Sequence, residues 1–528
     1  MQYPLIFVLL LTFVFGLGLI ARRLSIPYPI LFVLGGLAIG FIPILPHQLE
    51  LNPDLVFFLF LPPLLYMQAF YTSWRDFRIY LRPILLLAVG LVMATTLTVA
   101  FVAHWLIPGL PLSAGFVLGA IISPPDAIAA SAIAQRLGLP RRVVTILEGE
   151  SLVNDATSLV IFRVGLAAVG MTIPAHGEFW LAGQFIYVAA GGIAVGVLLG
   201  RFISWVRHRL ANEGPQIFLS LSLMTPYVSY LLADQFLHVS GVLAVVATGL
   251  YIGFEAPETM SPSVRLQAAA VWEVIVFLLN GIVFVLIGLQ LPLILSGLEK
   301  QTLPEAIFYA LVINLICIVI RLAWIFPGAY LPFLIKKVRD REEMPDWRQV
   351  FIVGWSGMRG IVSLAAALTL QGYPNFPQAH LVQFIAFSVI LVTLVFQGLT
   401  LPPLIRYLGV GDDGIPAKEE HEARELMSQA AFEKINEMKA EEKFPSTAIE
   451  VVETLYRERV LNLQDELADQ LGWSRQRHHF LSVRRLNRLT VATQRRILVS
   501  LHHSGKIGDD VLHKIEHELD LEEARLKS

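Results

Sequence analysis

Long apolar segments separated by short polar connections fill most of this chain, up to about residue 407. A helix needs about 20 apolar residues to cross the roughly 30 Å hydrocarbon core of a membrane. By that criterion the pattern predicts an all-α polytopic membrane protein with about thirteen membrane-spanning helices. The predicted spans lie near residues 3–21, 28–45, 53–71, 81–107, 113–136, 142–170, 180–207, 216–236, 239–254, 268–293, 303–333, 348–372 and 379–407.

Basic residues are concentrated in alternate connections, which tests the number and direction of the spans. The connections after odd-numbered spans contain Arg22, Arg23, Arg75, Arg78, Arg82, Arg136, Arg141, Arg142, Arg201, Arg207, Arg209, Arg265, Lys336, Lys337, Arg339, Arg341 and Arg348. Because Lys and Arg are enriched in cytoplasmic loops, this alternation places the odd connections and the C-terminus in the cytoplasm. The N-terminus is then outside, and the plasma (inner) membrane is the predicted location.

The polar C-terminal region differs in composition from the transmembrane domain predicted at residues 1–407. Residues 408–417 read as a linker, and residues 418–528 are charged and nearly free of glycine. Apolar positions recur at helical spacing there, for example Val451, Leu455, Val460 and Leu463. We therefore expect a small cytoplasmic helical domain with a regulatory or dimer-contact role, the alternative being a solvated tail.

Composition and charge fit a membrane protein and exclude several other classes. Hydrophobic residues make up 55% of the chain and charged residues 16%, and the mean hydropathy is +0.64. The net charge of −2 offers no basic field for a nucleic-acid partner, and the one cysteine excludes an internal disulfide. The sequence shows no phosphate-binding loop, zinc spacing or nucleophilic serine motif, so it predicts neither an enzyme nor a bound cofactor.

The fifth predicted span is interrupted by Ser123-Pro124-Pro125-Asp126. Two successive prolines remove two backbone donors and clash with the preceding turn, so the helix should break there. A break at membrane depth is tolerated where it lines a cavity, and its free carbonyls can bind ions. Asp126 follows the break, where it can face such a cavity, cap the second half-helix, or do both.

The twelfth predicted span is weakened by three glycines within residues 354–360. If the chain contains six spans, a linking span and six more, the fifth and twelfth spans occupy equivalent places in two inverted repeats. Paired interruptions at matching positions of inverted halves point to a transporter binding site. We therefore predict inverted six-helix repeats with two broken, crossing helices.

The sixth predicted span supplies a cluster of oxygen-bearing side chains. Glu150 and Asn154, and likewise Ser151 and Asp155, are separated by four residues and lie on adjoining faces of one helix turn. Oxygen ligands suit hard cations. Burial favours the neutral form of Asp155 and a nearby cation favours its ionised form, so the sequence predicts competition between a proton and a metal ion.

Four charged groups inside predicted spans require partners, because an isolated charge in a membrane is unfavourable. We expect a structural ion pair between Glu150 and Arg359 that fixes two helices together. Glu273 and Arg321 are secondary candidates for function, the alternative being a structural pair with each other.

Several motifs together resemble the electroneutral sodium/proton exchangers of the monovalent cation/proton antiporter superfamily, most closely the bacterial branch. The matching segments are Glu-Gly-Glu-Ser-Leu-Val-Asn-Asp at 148–155, Ser-Pro-Pro-Asp-Ala at 123–127, Gly-Trp-Ser-Gly-Met-Arg-Gly-Ile-Val-Ser-Leu-Ala at 354–365, Leu-Pro-Pro-Leu-Leu-Tyr at 61–66 and Phe-Leu-Leu-Asn-Gly-Ile-Val-Phe-Val-Leu-Ile-Gly-Leu-Gln at 277–290. They occur in order, at family spacing, over about residues 1–407.

This resemblance implies a homodimer of thirteen-helix subunits, each with a mobile six-helix core and elevator-like alternating access that exchanges one sodium ion for one proton. It implies that Asp155 binds the cation and the proton in turn, with Asn154 as its structural neighbour and Ser151 as a ligand. Asp126 and the carbonyl of Pro125 would lie beside the ion. The resemblance also makes Glu150 and Arg359 the stabilising pair.

The Asn154–Asp155 sequence bears on the charge moved in each cycle. One aspartate beside an asparagine carries one proton, so exchange for a monovalent cation would be electroneutral. Two departures from the family pattern affect the ion: Pro125 stands where a threonine is frequent, and Met67 where many members have a glutamate. Both remove oxygen, so potassium/proton exchange is the close alternative and lithium a further candidate. A cation channel and a membrane sensor are alternatives of other classes.

Overall fold

The computed structural model is helical wherever regular secondary structure is described. It describes residues 2–454 apart from gaps at 25–26, 43–56, 171–176, 211–213, 299–302, 341–343, 374, 412–413, 442–444 and 446, and a few positions between 493 and 519. This confirms the all-α class. The predicted amphipathic positions Leu455, Val460 and Leu463 lie outside the described residues.

Helices coincide with each of the predicted spans. In chain order they are α1 (Gln2–Leu24), α2 (Tyr28–Gly40), α3 (Leu61–Tyr71), α4 (Trp74–Ile79), α5 (Leu81–Leu106), α6 (Leu112–Ile122), α7 (Ala127–Arg136), α8 (Arg141–Gly170), α9 (Gly177–Arg209), α10 (Pro215–Phe236), α11 (Gly241–Thr259), α12 (Pro262–Ser296), α13 (Leu303–Leu334), α14 (Lys336–Arg339), α15 (Trp347–Trp355), α16 (Ile361–Thr369), α17 (Ala379–Leu408) and α18 (Ile415–Ala440).

Length and apolar composition identify the membrane-crossing helices. Within the described ranges eight are long and apolar enough to cross: α5, the α6–α7 pair, α8, α9, α10, α12, α13 and α17. The helices α2, α3 and α11 are apolar but shorter. The chain is therefore a multi-pass membrane protein, and a total of thirteen crossings stays a prediction.

The chain divides into two compact units, Met1–Asp413 and Gly414–Ser528. The apolar helices found among the described residues all lie in the first unit. The described part of the second unit begins with α18, a charged helix on which the ammonium of Lys434 lies 2.7 Å from the Glu437 carboxylate.

Small residues allow the helix that leads to the first interruption to pack closely against its neighbour. A Cβ atom at Gly119 of α6 would lie 2.5 Å from the carbonyl oxygen of Thr96 on α5, and one at Gly115 would lie 2.7 Å from that of Ala100. Glycine at these two positions lets the two backbones touch, which is a common way for helices to associate in membranes. The end of α6 is thereby held at a defined place beside α5.

Both predicted interruptions are present, and they meet. The first separates α6 from α7 at residues 123–126, and the second separates α15 from α16 at residues 356–360. The backbone N–H of Asp126 donates to the carbonyl oxygen of Met358 at 2.6 Å. The two broken helices therefore contact each other at their non-helical segments, which is where the candidate site lies.

Candidate functional site

Asp126 organises the first interruption. Its carboxylate oxygen Oδ1 accepts a hydrogen bond from the N–H of Ile128 at 2.8 Å, so Asp126 caps the N-terminus of α7. Its other oxygen, Oδ2, is buried and has no hydrogen-bond partner among the described residues. The side chain therefore caps a helix with one oxygen and can offer the other to a ligand, so the two roles considered from the sequence are compatible.

Arg359 stabilises the two breaks, and the predicted ion pair between Glu150 and Arg359 is wrong. The Arg359 Nε donates to the carbonyl oxygen of Ile122 at 2.7 Å, and Nη1 donates to that of Gly357. Its backbone N–H donates to Thr393 Oγ1 at 3.1 Å, within a π-helical turn of α17. The Asp126 N–H, which a continuous helix would direct to the Ile122 carbonyl, donates to Met358 instead, and the buried Arg359 guanidinium satisfies the Ile122 carbonyl in its place. A positive charge is also favourable at this C-terminal, negative end of α6.

Glu150 is instead paired with Arg321, and both side chains are 2% exposed. The guanidinium Nη1 and Nη2 donate to Oε1 and Oε2 of Glu150 at 2.6 and 2.9 Å. This also corrects the alternative in which Arg321 pairs with Glu273, because Glu273 lies at an exposed position of α12. A bidentate pair is the strongest arrangement of these two groups.

Two of the central acidic residues line one small cavity of about 20 Å³. Asp126, Ser151 and Asp155 all line it. The remaining walls are formed by Leu61, Leu64, Leu65, Gln68, Pro124, Ile128, Gly360, Ile361, Val362 and Ser363. Two carboxyl groups from the first broken helix and from α8 thus converge in a largely apolar setting where the two broken helices meet.

Asn154 and Ser151 support the backbone around this cavity. The amide Nδ2 of fully buried Asn154 donates to the carbonyl oxygen of Pro125 at 2.7 Å. The hydroxyl oxygen of Ser151 accepts a hydrogen bond from the N–H of Ala127 at 3.3 Å. Both side chains hold the first interruption against α8. Pro125 does not line the cavity, so its expected place beside an ion stays a prediction.

Three cavity residues, Gln68, Gly360 and Ser363, were not predicted as residues of the ion site. Gln68, rather than its neighbour Met67, lines the cavity from α3. Ser363 lines it from α16, and Gly360 lies directly against Asp126, where a Cβ would come within 2.6 Å of the carboxylate carbon. The available signal was weak: Gly360 is the last residue of the second glycine-rich interruption, and Ser363 follows it by less than one helical turn.

Arg163 has a partner away from the cavity. Its Nη2 lies 2.7 Å from Oδ1 of Asp234, which is at the C-terminal end of α10. The Arg163 side chain is more than half exposed. This group therefore joins α8 to α10 at the surface and does not approach Asp155.

An all-helical membrane domain whose two interrupted helices meet beside buried carboxyl groups has the architecture of a secondary transporter. The family model for sodium/hydrogen exchangers, transmembrane, matches residues 9–407. The chain belongs to this sodium/hydrogen exchanger family, and it is a transporter rather than an enzyme.

Individual relatives agree with this assignment. A protein of Mycobacterium tuberculosis named an uncharacterized Na(+)/H(+) exchanger is 34% identical over 514 residues, which is 96% of this chain and 93% of that protein. A Bacillus subtilis protein named a sodium, potassium, lithium and rubidium/H(+) antiporter is 35% identical over 424 residues, or 76% and 62% of the two chains. The structure of the sodium proton antiporter MjNhaP1 from Methanocaldococcus jannaschii matches with a TM-score of 0.61 at 21% identity, over 76% of this chain and 97% of that one, which supports the fold alone.

Proposed function

We propose that this protein exchanges sodium ions for protons across the plasma membrane, with the two ions competing for Asp155. The observation that carries the proposal is the shared cavity, in which Asp155, Asp126 and Ser151 present oxygen atoms beside the two interruptions. Carboxylate and hydroxyl oxygens are suitable ligands for a hard cation. A carboxylate in an apolar cavity is stabilised either by such a cation or by a proton, and this choice couples the two fluxes.

Electroneutral exchange is part of the proposal. Asn154 is a neutral neighbour whose amide is engaged by the Pro125 carbonyl, so Asp155 is the acid on this turn of α8 that can carry a proton inward or outward. One proton for one monovalent cation moves no net charge. Rates in vesicles should therefore be the same with and without an imposed membrane potential.

The proposal also includes alternating access on a scaffold of inverted repeats. It further includes about thirteen membrane crossings, a cytoplasmic C-terminus and a homodimeric assembly. The support is the presence of a helix at each predicted span and the alternation of basic residues between connections. We assign residues 418–528 to a cytoplasmic regulatory or dimer-contact domain.

Potassium is the alternative cation, and lithium is a further candidate. The name of the Bacillus subtilis relative includes sodium, potassium, lithium and rubidium, which favours testing all of these ions. Gln68 also contributes a neutral amide to the cavity wall. A third carboxylate in its place would strengthen the preference for a small ion. Ion competition at fixed pH will decide between the two cations.

The test uses purified protein in liposomes that carry an imposed pH gradient. Addition of sodium should produce a saturable, cation-driven recovery of internal pH, and Asp155→Asn should abolish it. The half-saturating sodium concentration should rise as the pH falls, because protons occupy the same carboxyl group. Glu148→Gln is the matched control, since this acid is on the same helix but bonds to Gln135 at 3.3 Å outside the cavity.

Three results would contradict the proposal. A conductance that does not saturate would indicate a channel, because a channel does not have to bind and release one ion per cycle. Absence of any cation-driven proton movement at every pH would favour a membrane sensor. Retention of full exchange in Asp155→Asn would remove the proposed binding group.

A further inference from the structure

Ser363, on the second broken helix, lines the candidate site and has a buried hydroxyl group. The residue is 1% exposed and lines the same cavity as Asp126 and Asp155. Its Oγ has no hydrogen-bond partner among the described residues. A buried hydroxyl without a partner is unfavourable, so its presence in the wall of an acidic cavity requires an explanation.

The local backbone explains why this hydroxyl is not satisfied by its own helix. Serine and threonine in helices commonly donate to the carbonyl three or four residues earlier, as Ser356 does to Ile352 at 2.7 Å. For Ser363 those carbonyls belong to Arg359 and Gly360, which lie at the interruption. Gly360 has φ −138° and ψ −145°, so the backbone there is not helical. The hydroxyl therefore has no bond to its own helix, at a residue that lines the cavity.

The other oxygens around the cavity are already partly engaged. Ser151 Oγ accepts from Ala127, and Asp126 Oδ1 accepts from Ile128. The oxygen atoms that remain available include Asp126 Oδ2, the Asp155 carboxylate and Ser363 Oγ. A hard cation takes about six oxygen ligands, so a neutral hydroxyl from the opposite helix would complement the two acids.

We propose that Ser363 is a ligand of the transported cation, and that its hydroxyl oxygen helps to set cation affinity from the second broken helix. This inference rests on the proposed exchange at Asp155. The cation site would then include residues from both broken helices and from α8: Asp126 at the first interruption, Ser363 on α16 after the second, and Asp155 on α8. Binding of the ion then connects three helices.

The test compares Ser363→Ala with Ser131→Ala in liposomes, after exchange by the unaltered protein and its loss in Asp155→Asn have been established. Ser131 is a suitable control because its buried hydroxyl also has no partner among the described residues, yet it lies on α7 outside the cavity wall. Initial rates are measured over a range of sodium concentrations at several pH values, so that cation affinity, maximal rate and proton affinity are separated.

Loss of one ligand oxygen should raise the half-saturating sodium concentration of Ser363→Ala about fivefold to tenfold. The pH at which protons inhibit should shift to higher values, because a weaker cation competes less well. Ser131→Ala should change neither quantity. Ser363→Thr keeps the hydroxyl and should restore affinity to within about twofold of the original.

The inference is overturned if Ser363→Ala keeps its sodium affinity, or if Ser131→Ala shows an equal change. A change in maximal rate alone would also overturn it, since that would indicate a packing role. If Ser363→Ala does not fold, Ser363→Cys preserves the volume and replaces the hard oxygen with sulfur, and it must show the same loss of sodium affinity. Failure of exchange in the unaltered protein would instead refute the proposed function.

Discussion

Glu150 and Arg321 form a bidentate ion pair between helices α8 and α13, more than one hundred residues apart in the chain. The Arg321 side chain also donates to the carbonyl oxygens of Val353 and Gly354 at 3.0 and 3.1 Å, in the last turn of α15. One guanidinium therefore satisfies a buried acid and the end of a broken helix together. The pair holds three helices in register next to Ser151 and five residues before Asp155, the cavity residues of α8.

Removal of one member of this pair should strongly destabilise the protein. Glu150→Gln leaves the Arg321 charge buried without its counter-charge, and breaking such a pair typically costs about 3–5 kcal/mol. Chemical denaturation in detergent micelles measures the change. Arg163→Gln is the control, because this pair with Asp234 is partly exposed and should contribute about 1 kcal/mol or less. Equal stability of the two variants would contradict this account.

A methyl group at Gly360 should block the candidate site while leaving the fold intact. The added Cβ would overlap the Asp126 side chain, so the carboxylate would have to move away from Ile128 or from the cavity. We expect Gly360→Ala to lose most sodium-driven proton movement in liposomes. Gly328→Ala should retain it, since a Cβ there would meet nothing within 4 Å. Normal transport by Gly360→Ala would show that the Asp126 position is not critical.

Arg359 should not be replaceable by lysine. An ammonium group retains the charge but cannot reach the Ile122 and Gly357 carbonyls with the geometry of a planar guanidinium. One or two buried carbonyls would lose their donors, and we expect Arg359→Lys to lower the free energy of unfolding by about 1–3 kcal/mol. The exposed Arg339 of α14 provides the comparison, because Arg339→Lys should be neutral. Denaturation curves of both variants test the difference.

Asn154→Asp should make stability depend on pH. The native amide donates to the Pro125 carbonyl at 2.7 Å, whereas an ionised carboxylate would place two acceptor oxygens against each other. A protonated carboxyl group can donate in place of the amide, so the variant should be more stable at low pH and lose stability as the pH rises. Asn154→Ala removes the donor at every pH and serves as the control. Parallel pH profiles for the two variants would contradict the prediction.

The two interruptions and the apolar helices could be predicted because their signals are local. Two successive prolines cannot continue a helix, and three glycines within seven residues weaken one, whatever surrounds them. The length of each apolar segment is likewise read directly from the chain. The Asp126 to Met358 hydrogen bond shows that the two breaks lie in contact, and their crossing within inverted repeats stays a prediction.

The partners of the buried charges could not be predicted in the same way. Two arginines and two glutamates were available in separate spans, and their pairing depends on the depth and rotation of each helix. Arg359 donates to one carbonyl at each break, those of Ile122 and Gly357, and Glu150 pairs with Arg321. Neighbouring residues on α3 point in different directions. The rotation of this helix about its axis therefore decides that Gln68, and not Met67, lines the cavity. Such choices are made by tertiary packing.

The backbone hydrogen bond between Asp126 and Met358 has a practical consequence for attempts to change which cation the protein prefers. Since each interruption is anchored to the other, a substitution that reshapes one loop will displace groups contributed by its counterpart. Libraries of variants that randomise only one of the two interruptions would mostly contain proteins in which the other interruption is displaced. Engineering a new selectivity should therefore co-vary both loops, with the anchoring amide and carbonyl preserved.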